Sequence, residues 1–226
     1  MLKHKLLTRF GPSPAGLSEK EQMRIALINM RCKDEDGQVH FIDVDADAVD
    51  RNRLAIGGAG AALHHDNLKA AGITHIVCLC NQVRSMFPES FQYLRVDNFD
   101  DDGSERSIEV LEGHLDKCLS FMHEAITGGQ NCSVMVHCFQ GKSRSAAVCC
   151  SYLMKYHPKR APDFDSALAL VRQTRPQACP NMMLTTFIRK WGMGSENSIN
   201  NSKKEEIEEE STPMTVFDTL EIKKEI

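Results

Sequence analysis

The sequence lacks three features that would place it in a specialised class of proteins. No apolar run among its 226 residues approaches the roughly 20 residues of a transmembrane helix. The formal net charge of −4 is too small to predict nucleic-acid binding. Nine cysteines occur without the paired spacing of disulfide frameworks or zinc sites. We therefore expect reduced thiols in a protein of the cytoplasm, with the nucleus as a second candidate location.

Residues 1–47 are predicted to form an N-terminal arm and an extra segment ahead of the main domain. The charged residues near Met1 do not resemble a secretory signal, and Pro12 and Pro14 are typical of a flexible arm. Two interpretations of the extra segment stay open. One is a helix that begins at a capping box on Ser18, and the other is a pair of strands over residues 25–31 and 39–44.

The opposite end of the sequence has a different composition. Residues 195–226 are rich in Ser, Thr, Glu and Lys and contain few large apolar residues. Such a segment cannot bury enough apolar surface to offset the entropy of ordering it. We therefore predict a disordered acidic C-terminal tail, which leaves residues 48–194 as the folded domain.

Residues 48–194 alternate between strand and helix patterns. Apolar runs predict strands over residues 54–58, 73–80, 91–96 and 134–136. Helical spacing predicts helices over residues 61–71, 145–156, 165–172 and 181–191, and a long one whose buried face runs from Ile108 to Ile126. Alternation of this kind predicts an α/β fold of three layers, with a central, mainly parallel sheet flanked by helices.

The most informative stretch joins the strand at residues 134–136 to the helix that follows. A tight turn between a strand and a helix start can point backbone N–H groups at an anion, aided by the helix dipole. Cys138 opens this turn, and such surroundings would lower the pKa of its thiol. Arg144 closes the turn with a guanidinium that can hold two phosphate oxygens. Gly141 suits a sharp bend.

The pattern His-Cys-x-x-Gly-x-Ser-Arg-Ser over residues 137–145 resembles the signature loop of the cysteine-dependent protein tyrosine phosphatase superfamily. The run Ser151-Tyr152-Leu153-Met154 that follows resembles the dual-specificity branch of that superfamily, in its atypical type with a single catalytic domain. Residues 175–181 resemble the RPxxxPN segment of the same family. The resemblance extends over residues 50–191, and it implies that residues 48–194 are a dual-specificity phosphatase catalytic domain of the protein tyrosine phosphatase-like fold.

The resemblance implies a role for each residue of the signature loop. Cys138 would be the nucleophile, His137 would position it and favour its thiolate, and Ser145 would help the thiolate leave. Arg144 would bind the transferring phosphoryl group together with the backbone amides of the loop. The implied phosphate-binding residues are Phe139, Gln140, Gly141, Lys142, Ser143 and Arg144. Neither a metal nor another cofactor is required for this reaction.

The leaving group of a phosphate ester needs a proton, which an aspartic acid in the family supplies. The pattern Tyr-x-x-Val-x-x-x-Asp that starts at Tyr93 assigns this role to Asp100. Because a gap of one residue would shift the assignment, Asp97, Asp101 and Asp102 stay open as alternatives. A solvated acidic turn without a catalytic role is the remaining interpretation.

The resemblance implies a protein phosphatase that hydrolyses phosphotyrosine and phosphoserine or phosphothreonine monoesters through a phosphocysteine. The alternative is a phosphatase of the same mechanism that acts on a phosphoinositide, an RNA end or a sugar phosphate. Partners would be phosphoproteins, with a MAP kinase as one candidate, and a role in signalling is expected. The sequence departs from the family at Cys78, where the strand before Asn81 usually carries an asparagine near the signature loop.

Overall fold

The structure, a computed structural model, describes residues 39–43, 53–129 and 131–193. The predicted arm, most of the extra segment and the predicted acidic tail lie outside these residues, and the predicted domain boundaries stay predictions. Of the two interpretations of the extra segment, the strand over residues 39–44 can be checked. It is present as a three-residue strand, His40–Ile42.

The described residues form five strands and six helices, in the order that the sequence predicts except that one predicted helix is divided in two. The strands are β1 (His40–Ile42), β2 (Arg53–Gly57), β3 (Ile73–Cys78), β4 (Gln92–Arg95) and β5 (Ser133–His137). The helices are α1 (Ala59–Ala62), α2 (His65–Ala70), α3 (Glu105–Thr127), α4 (Arg144–Tyr156), α5 (Phe164–Thr174) and α6 (residues 182–193). No helix within the described ranges is long and apolar enough to cross a bilayer.

The strands form one sheet in the order β1-β2-β5-β3-β4. The pairs β2–β5, β5–β3 and β3–β4 are parallel, and only the edge strand β1 pairs antiparallel, with β2. The predicted α/β fold with a mainly parallel sheet is confirmed. Because β5 lies at the centre of the sheet, the loop that follows it has a strand on either side to support it.

Side chains of the central strands alternate between two apolar layers. Val134 and Val136 of β5 pack into the larger core with α3, α4 and α5, while Met135 between them packs into the smaller core on the other face. This alternation follows from the two-residue period of a strand. Both faces of the sheet are therefore covered, as parallel sheets require.

The long predicted helix is present as α3, and its start and end have identifiable causes. The Ser104 side chain accepts a hydrogen bond from Ser107 N at the first turn, and Gly128 is the C-cap. Leu111, Leu115 and Leu119 lie on the buried face. At four-residue spacing they form one stripe against the sheet, as the sequence predicts.

The predicted helix over residues 61–71 is wrong in one respect, since the structure has two short helices there. His64 adopts a non-helical conformation (φ −104°, ψ 88°) and separates α1 from α2. All four residues of α1 are buried, whereas α2 buries only Leu68. The break lets each helix cover a different part of the sheet, and this tertiary requirement outweighs the helix propensity of the alanines.

Candidate active site

The signature loop, residues 137–145, runs from the end of β5 into the first turn of α4. Four consecutive backbone carbonyls of this loop accept hydrogen bonds from groups outside it. The donors are Ala59 N to Phe139 O (2.9 Å), Arg175 Nη2 to Gln140 O (2.9 Å), Arg175 Nε to Gly141 O (3.1 Å) and Cys179 N to Lys142 O (2.7 Å). In a trans peptide the N–H points opposite to the C=O. The next four N–H groups, of residues 140–143, are therefore directed away from these donors, towards the inside of the loop.

The start of α4 adds further donors to the inside of the loop. Ser143 is the N-cap of this helix, but its hydroxyl makes no capping bond to the helix backbone. The first-turn N–H groups of α4 are thus left for an anion, and the helix dipole favours one at this position. The loop and the helix start together form the anion site that the sequence predicts.

Arg175 is the fully buried cation that holds the outer side of the loop. Its side chain is 1% exposed and donates to two successive carbonyls, those of Gln140 and Gly141. Gly141 takes a left-handed conformation (φ +65°), and a Cβ there would lie 2.7 Å from both Arg175 Nη2 and the Gly57 backbone. Only glycine fits between β2 and the arginine.

Cys138 lies at the start of the loop and is 1% exposed. Its Sγ is 3.3 Å from Ser145 Oγ. Burial by itself raises the pKa of the Cys138 thiol, but the Arg144 charge and hydrogen bonds from Ser145 and the Lys142 backbone outweigh it and lower the pKa. The site therefore favours a thiolate, the form that acts as a nucleophile.

His137 precedes Cys138 and lies at the end of β5. It is 1% exposed, and its Nδ1 lies 3.4 Å from Cys138 O, so the ring nitrogen is the donor. Burial lowers the pKa of His137, but the nearby Cys78 thiolate, which also accepts a hydrogen bond from the ring, raises it overall. The imidazole is thus fixed on both sides, on one of them by the backbone of Cys138.

Arg144 is 5% exposed, and its charge acts on the Cys138 thiol at the start of the loop. Its Nη1 donates to Phe99 O at 2.7 Å, which fixes the plane of the guanidinium. Its Nε is buried and has no hydrogen-bond partner among the described residues. A buried donor without a partner is costly, and a phosphate oxygen would satisfy it.

The four candidate acids lie in one loop, the acid loop (residues 97–103), but have different surroundings. Asp97 pairs with Arg95, and Asp102 accepts from Ser104 N and Ser107 Oγ at the start of α3. Asp101 accepts from Ser143 Oγ and Asn181 Nδ2, both at 2.7 Å.

Asp100 differs from these three because its exposed side chain makes no hydrogen bond within the described part of the chain. Its neighbour Phe99 binds Arg144 through the backbone carbonyl, which places Asp100 beside the anion site. Two donors hold the Asp101 carboxylate in place, whereas the Asp100 carboxyl group has no hydrogen-bond partner among the described residues and is available to a substrate.

The loop side chains fall into two groups. Four residues, Gly141, Ser143, Arg144 and Ser145, are buried. The others are not: Phe139 is partly buried, and Gln140 and Lys142 are exposed. The structure thus brings together all the residues that the sequence assigns to the signature loop. The phosphate would meet the backbone of the loop, and the exposed side chains would meet whatever carries the phosphate.

Two supporting residues carry no role in the sequence-based prediction. Arg175 holds the loop carbonyls, and Asn181 bonds Asp101 through its side chain and Ser143 Oγ through its backbone N–H (3.0 Å). Both belong to the RPxxxPN segment over residues 175–181. The motif could have indicated a structural role, but the partners of the two residues are distant in sequence and only the fold shows them.

Comparison with known proteins gives one consistent result. The model of the family described as "Dual specificity phosphatase, catalytic domain" matches residues 54–193. The chain is 38% identical over 128 residues to dual specificity protein phosphatase 1B of Arabidopsis thaliana, a match that covers 57% of this chain and 71% of the relative.

A second relative and a solved structure agree with this result. MAP kinase phosphatase with leucine-rich repeats protein 3 of Dictyostelium discoideum is 32% identical over 128 residues, 57% of this chain and 14% of the relative. The crystal structure of human DUSP28 superposes with a TM-score of 0.55 at 29% identity, covering 69% of this chain and 95% of that structure.

Gly141→Ala should abolish most activity while the protein stays folded. The Cβ would lie 2.7 Å from backbone atoms of Gly57, so the loop has to move. We expect kcat/KM to fall by about 100-fold, the loss typical of a misplaced catalytic group. The control is Gly72→Ala, which has a similar φ of +71° but nothing within 4 Å. Equal losses of activity in the two variants would contradict the assigned packing.

Arg175→Ala should lower stability and weaken binding of inorganic phosphate together. Two loop carbonyls lose a charged donor, and we expect the free energy of unfolding to fall by about 3 kcal/mol. Denaturant unfolding and phosphate inhibition measure the two effects. Arg189→Ala removes an exposed ion pair with Asp165, 2.6 Å long, and should cost less than about 1 kcal/mol. Unchanged phosphate inhibition in Arg175→Ala would refute its role in shaping the loop.

Proposed function

The chain belongs to the dual specificity phosphatase family and is a cysteine-dependent protein phosphatase, and we propose that Cys138 carries the reaction on phosphotyrosine and phosphoserine or phosphothreonine monoesters. One observation supports this proposal above the others. The nucleophile lies inside a ring of inward-facing amides, beside an arginine whose buried Nε has no partner in the described residues. This arrangement matches a phosphate group in both charge and shape.

The proposed reaction has two displacements at phosphorus. The Cys138 thiolate attacks phosphorus, the P–O bond to the leaving group breaks, and Asp100 gives its proton to the departing oxygen. Water then attacks the phosphocysteine while the Asp100 carboxylate takes a proton from it, and the P–S bond breaks. Inorganic phosphate is released, and the thiolate and protonated Asp100 are restored, so no redox partner or metal is needed.

Each neighbour of Cys138 has a proposed part in these steps. Arg144 and the amides of residues 140–143 bind the equatorial oxygens, on which charge is spread in the transition state. The Ser145 hydroxyl, 3.3 Å from the sulfur, stabilises the thiolate as it leaves in the second step. His137 fixes the backbone of the nucleophile through its Nδ1 and acts as a positioning residue.

The choice of Asp100 as the general acid rests on elimination within the acid loop. A general acid must come within hydrogen-bond reach of the leaving oxygen, and a carboxyl group held by charged or multiple donors is less free to do so. Asp97, Asp101 and Asp102 each have such partners, whereas Asp100 has none in the described ranges. Asp101 instead has the geometry of a tether between the acid loop and Ser143.

The substrate is proposed to be an acidic phosphoprotein segment. Lys142 is exposed on the signature loop, close to where the chain bearing the phosphate would lie. A MAP kinase is our candidate, supported by the name of the Dictyostelium relative at 32% identity. We propose a cytoplasmic or nuclear role in signalling, which is consistent with the reduced thiols expected from the cysteine pattern.

Cys138→Ser should lose turnover but keep binding. The hydroxyl preserves the shape of the site without supplying a thiolate, so we expect kcat to fall at least about 1,000-fold. Turnover by wild type and variant is measured on phosphopeptides and on phosphoinositide vesicles. Binding of phosphopeptides is measured for the variant. Wild type should prefer phosphopeptides. A higher kcat/KM on phosphoinositides would contradict the proposed protein substrate. Substantial turnover by Cys138→Ser would contradict the assignment of Cys138 as the nucleophile.

Asp100→Asn should slow the reaction according to the leaving group. We expect kcat to fall by about 100-fold on phosphotyrosine peptides, because the phenolate then departs without a proton. An aryl phosphate whose phenol is strongly acidic should be nearly unaffected. Asp101→Asn is the matched control, since loss of its tether to Ser143 should slow both substrates alike. If the leaving-group dependence appears in Asp101→Asn instead, Asp101 is the acid.

A further inference from the structure

A group of three potential metal ligands lies at the base of the signature loop, where β3 and β5 end. Cys78 and His137 are paired in register on adjacent parallel strands, and Cys80 follows Cys78 by two residues. All three side chains are buried, with exposed fractions of 1%, 1% and 0% for Cys78, His137 and Cys80. The fold brings these residues together, since their two strands are far apart in sequence.

The donor atoms are close enough to bind one ion. One ligand atom from each of Cys78, Cys80 and His137 lies within 4.8 Å of the other two. A tetrahedral zinc ion with Zn–S bonds near about 2.3 Å and Zn–N near about 2.1 Å needs ligand atoms about 3.5–3.8 Å apart. The ligand atoms are therefore within about 1 Å of the spacing that the ion requires.

His137 has the arrangement that histidine ligands usually show. Its Nδ1 donates to Cys138 O, at 3.4 Å, so its Nε2 is the nitrogen left to bind. Histidines that bind metals commonly donate their other ring N–H to a backbone carbonyl, which fixes the tautomer and the ring orientation. That requirement is met by the local backbone before any ion arrives.

The two sulfurs lie close enough to each other for one ion to contact both. A metal ion would bind them as two thiolates. Metal binding requires thiolate sulfurs and a neutral imidazole nitrogen, so the protons that these three ligand atoms carry are released to solvent.

The remaining polar contacts of the Cys78 sulfur are compatible with a metal. Arg95 Nη1 lies 3.4 Å from Cys78 Sγ and also donates to Val83 O at 2.6 Å. The sulfur is 3.5 Å from Cys80 O and 3.6 Å from Val83 O, to which a thiol could donate. The Arg95 charge weakens the attraction for a cation, but its N–H remains a donor to a metal-bound thiolate.

We propose that Cys78, Cys80 and His137 form a binding site for one thiophilic cation of the Zn²⁺ type, separate from the catalytic thiolate. Two thiolates and an imidazole are the ligands that zinc and cobalt prefer over hard cations. Cys138 is outside this group of three, and its Sγ contacts Ser145 Oγ instead. An ion in the site would join β3 to the base of the signature loop.

The test uses the full chain, freed of metal and kept reduced with a reductant that has no thiol. Titration with Co²⁺ should give the thiolate-to-cobalt absorption of a tetrahedral site, saturating at one equivalent, and Zn²⁺ should displace the cobalt. Cys80→Ser should weaken binding by at least about 100-fold. Cys118→Ser is the matched control, a buried thiol on α3 whose loss should leave cobalt binding unchanged.

Cys138→Ser separates this site from the catalytic thiolate. We expect it to bind Co²⁺ as wild type does and to gain thermal stability on adding Zn²⁺, a gain that Cys80→Ser should lack. Absence of the charge-transfer band in wild type would overturn the proposal. So would a band that is lost in Cys138→Ser and kept in Cys80→Ser, since the ion would then sit on the nucleophile. Hydrolysis of phosphopeptides by the metal-free protein tests the catalytic assignment independently.

Discussion

The active site depends on where the carbonyl groups of one loop form their hydrogen bonds. Each carbonyl of residues 139–142 is held from outside, by α1, by Arg175 or by the Cys179 backbone. Since a peptide cannot turn its C=O outward without turning its N–H inward, these bonds create the anion site. The outward carbonyls also explain two residues of the site. Gly141 leaves room for the loop between Gly57 and Arg175, and the buried Arg175 donates to two of the outward carbonyls.

The sequence predicted the central chemistry because that chemistry is local. Cys138, Gly141 and Arg144 lie on one short loop whose strand and helix are visible in the apolar pattern. The general acid was harder to predict, since four aspartates share the acid loop and no local rule separates them. Hydrogen-bond partners from elsewhere in the chain give the aspartates different surroundings. Asp101 is held by Ser143 and Asn181, and Asp100 is left without a partner in the described residues.

The fold shows the same division between local and distant causes. Strand and helix order, and the ends of α3, follow from apolar spacing, a capping serine and a glycine. The break at His64 does not, because alanines favour a continuous helix and only the shape of the covered sheet requires two. The resemblance places Cys78 near the signature loop, but its grouping with Cys80 and His137 as ligands depends on the register between β3 and β5, which only the fold shows.

The tether from Asp101 to Ser143 and Asn181 has a thermodynamic consequence for each catalytic cycle. It joins the acid loop to the signature loop and to the start of α6 through contacts that do not involve a substrate. The conformational entropy of the acid loop around Asp100 is therefore lost when the domain folds and not each time a substrate binds. Under the proposed assignment a phosphoprotein meets Asp100 already in place, so more of its binding free energy is available to lower the barrier.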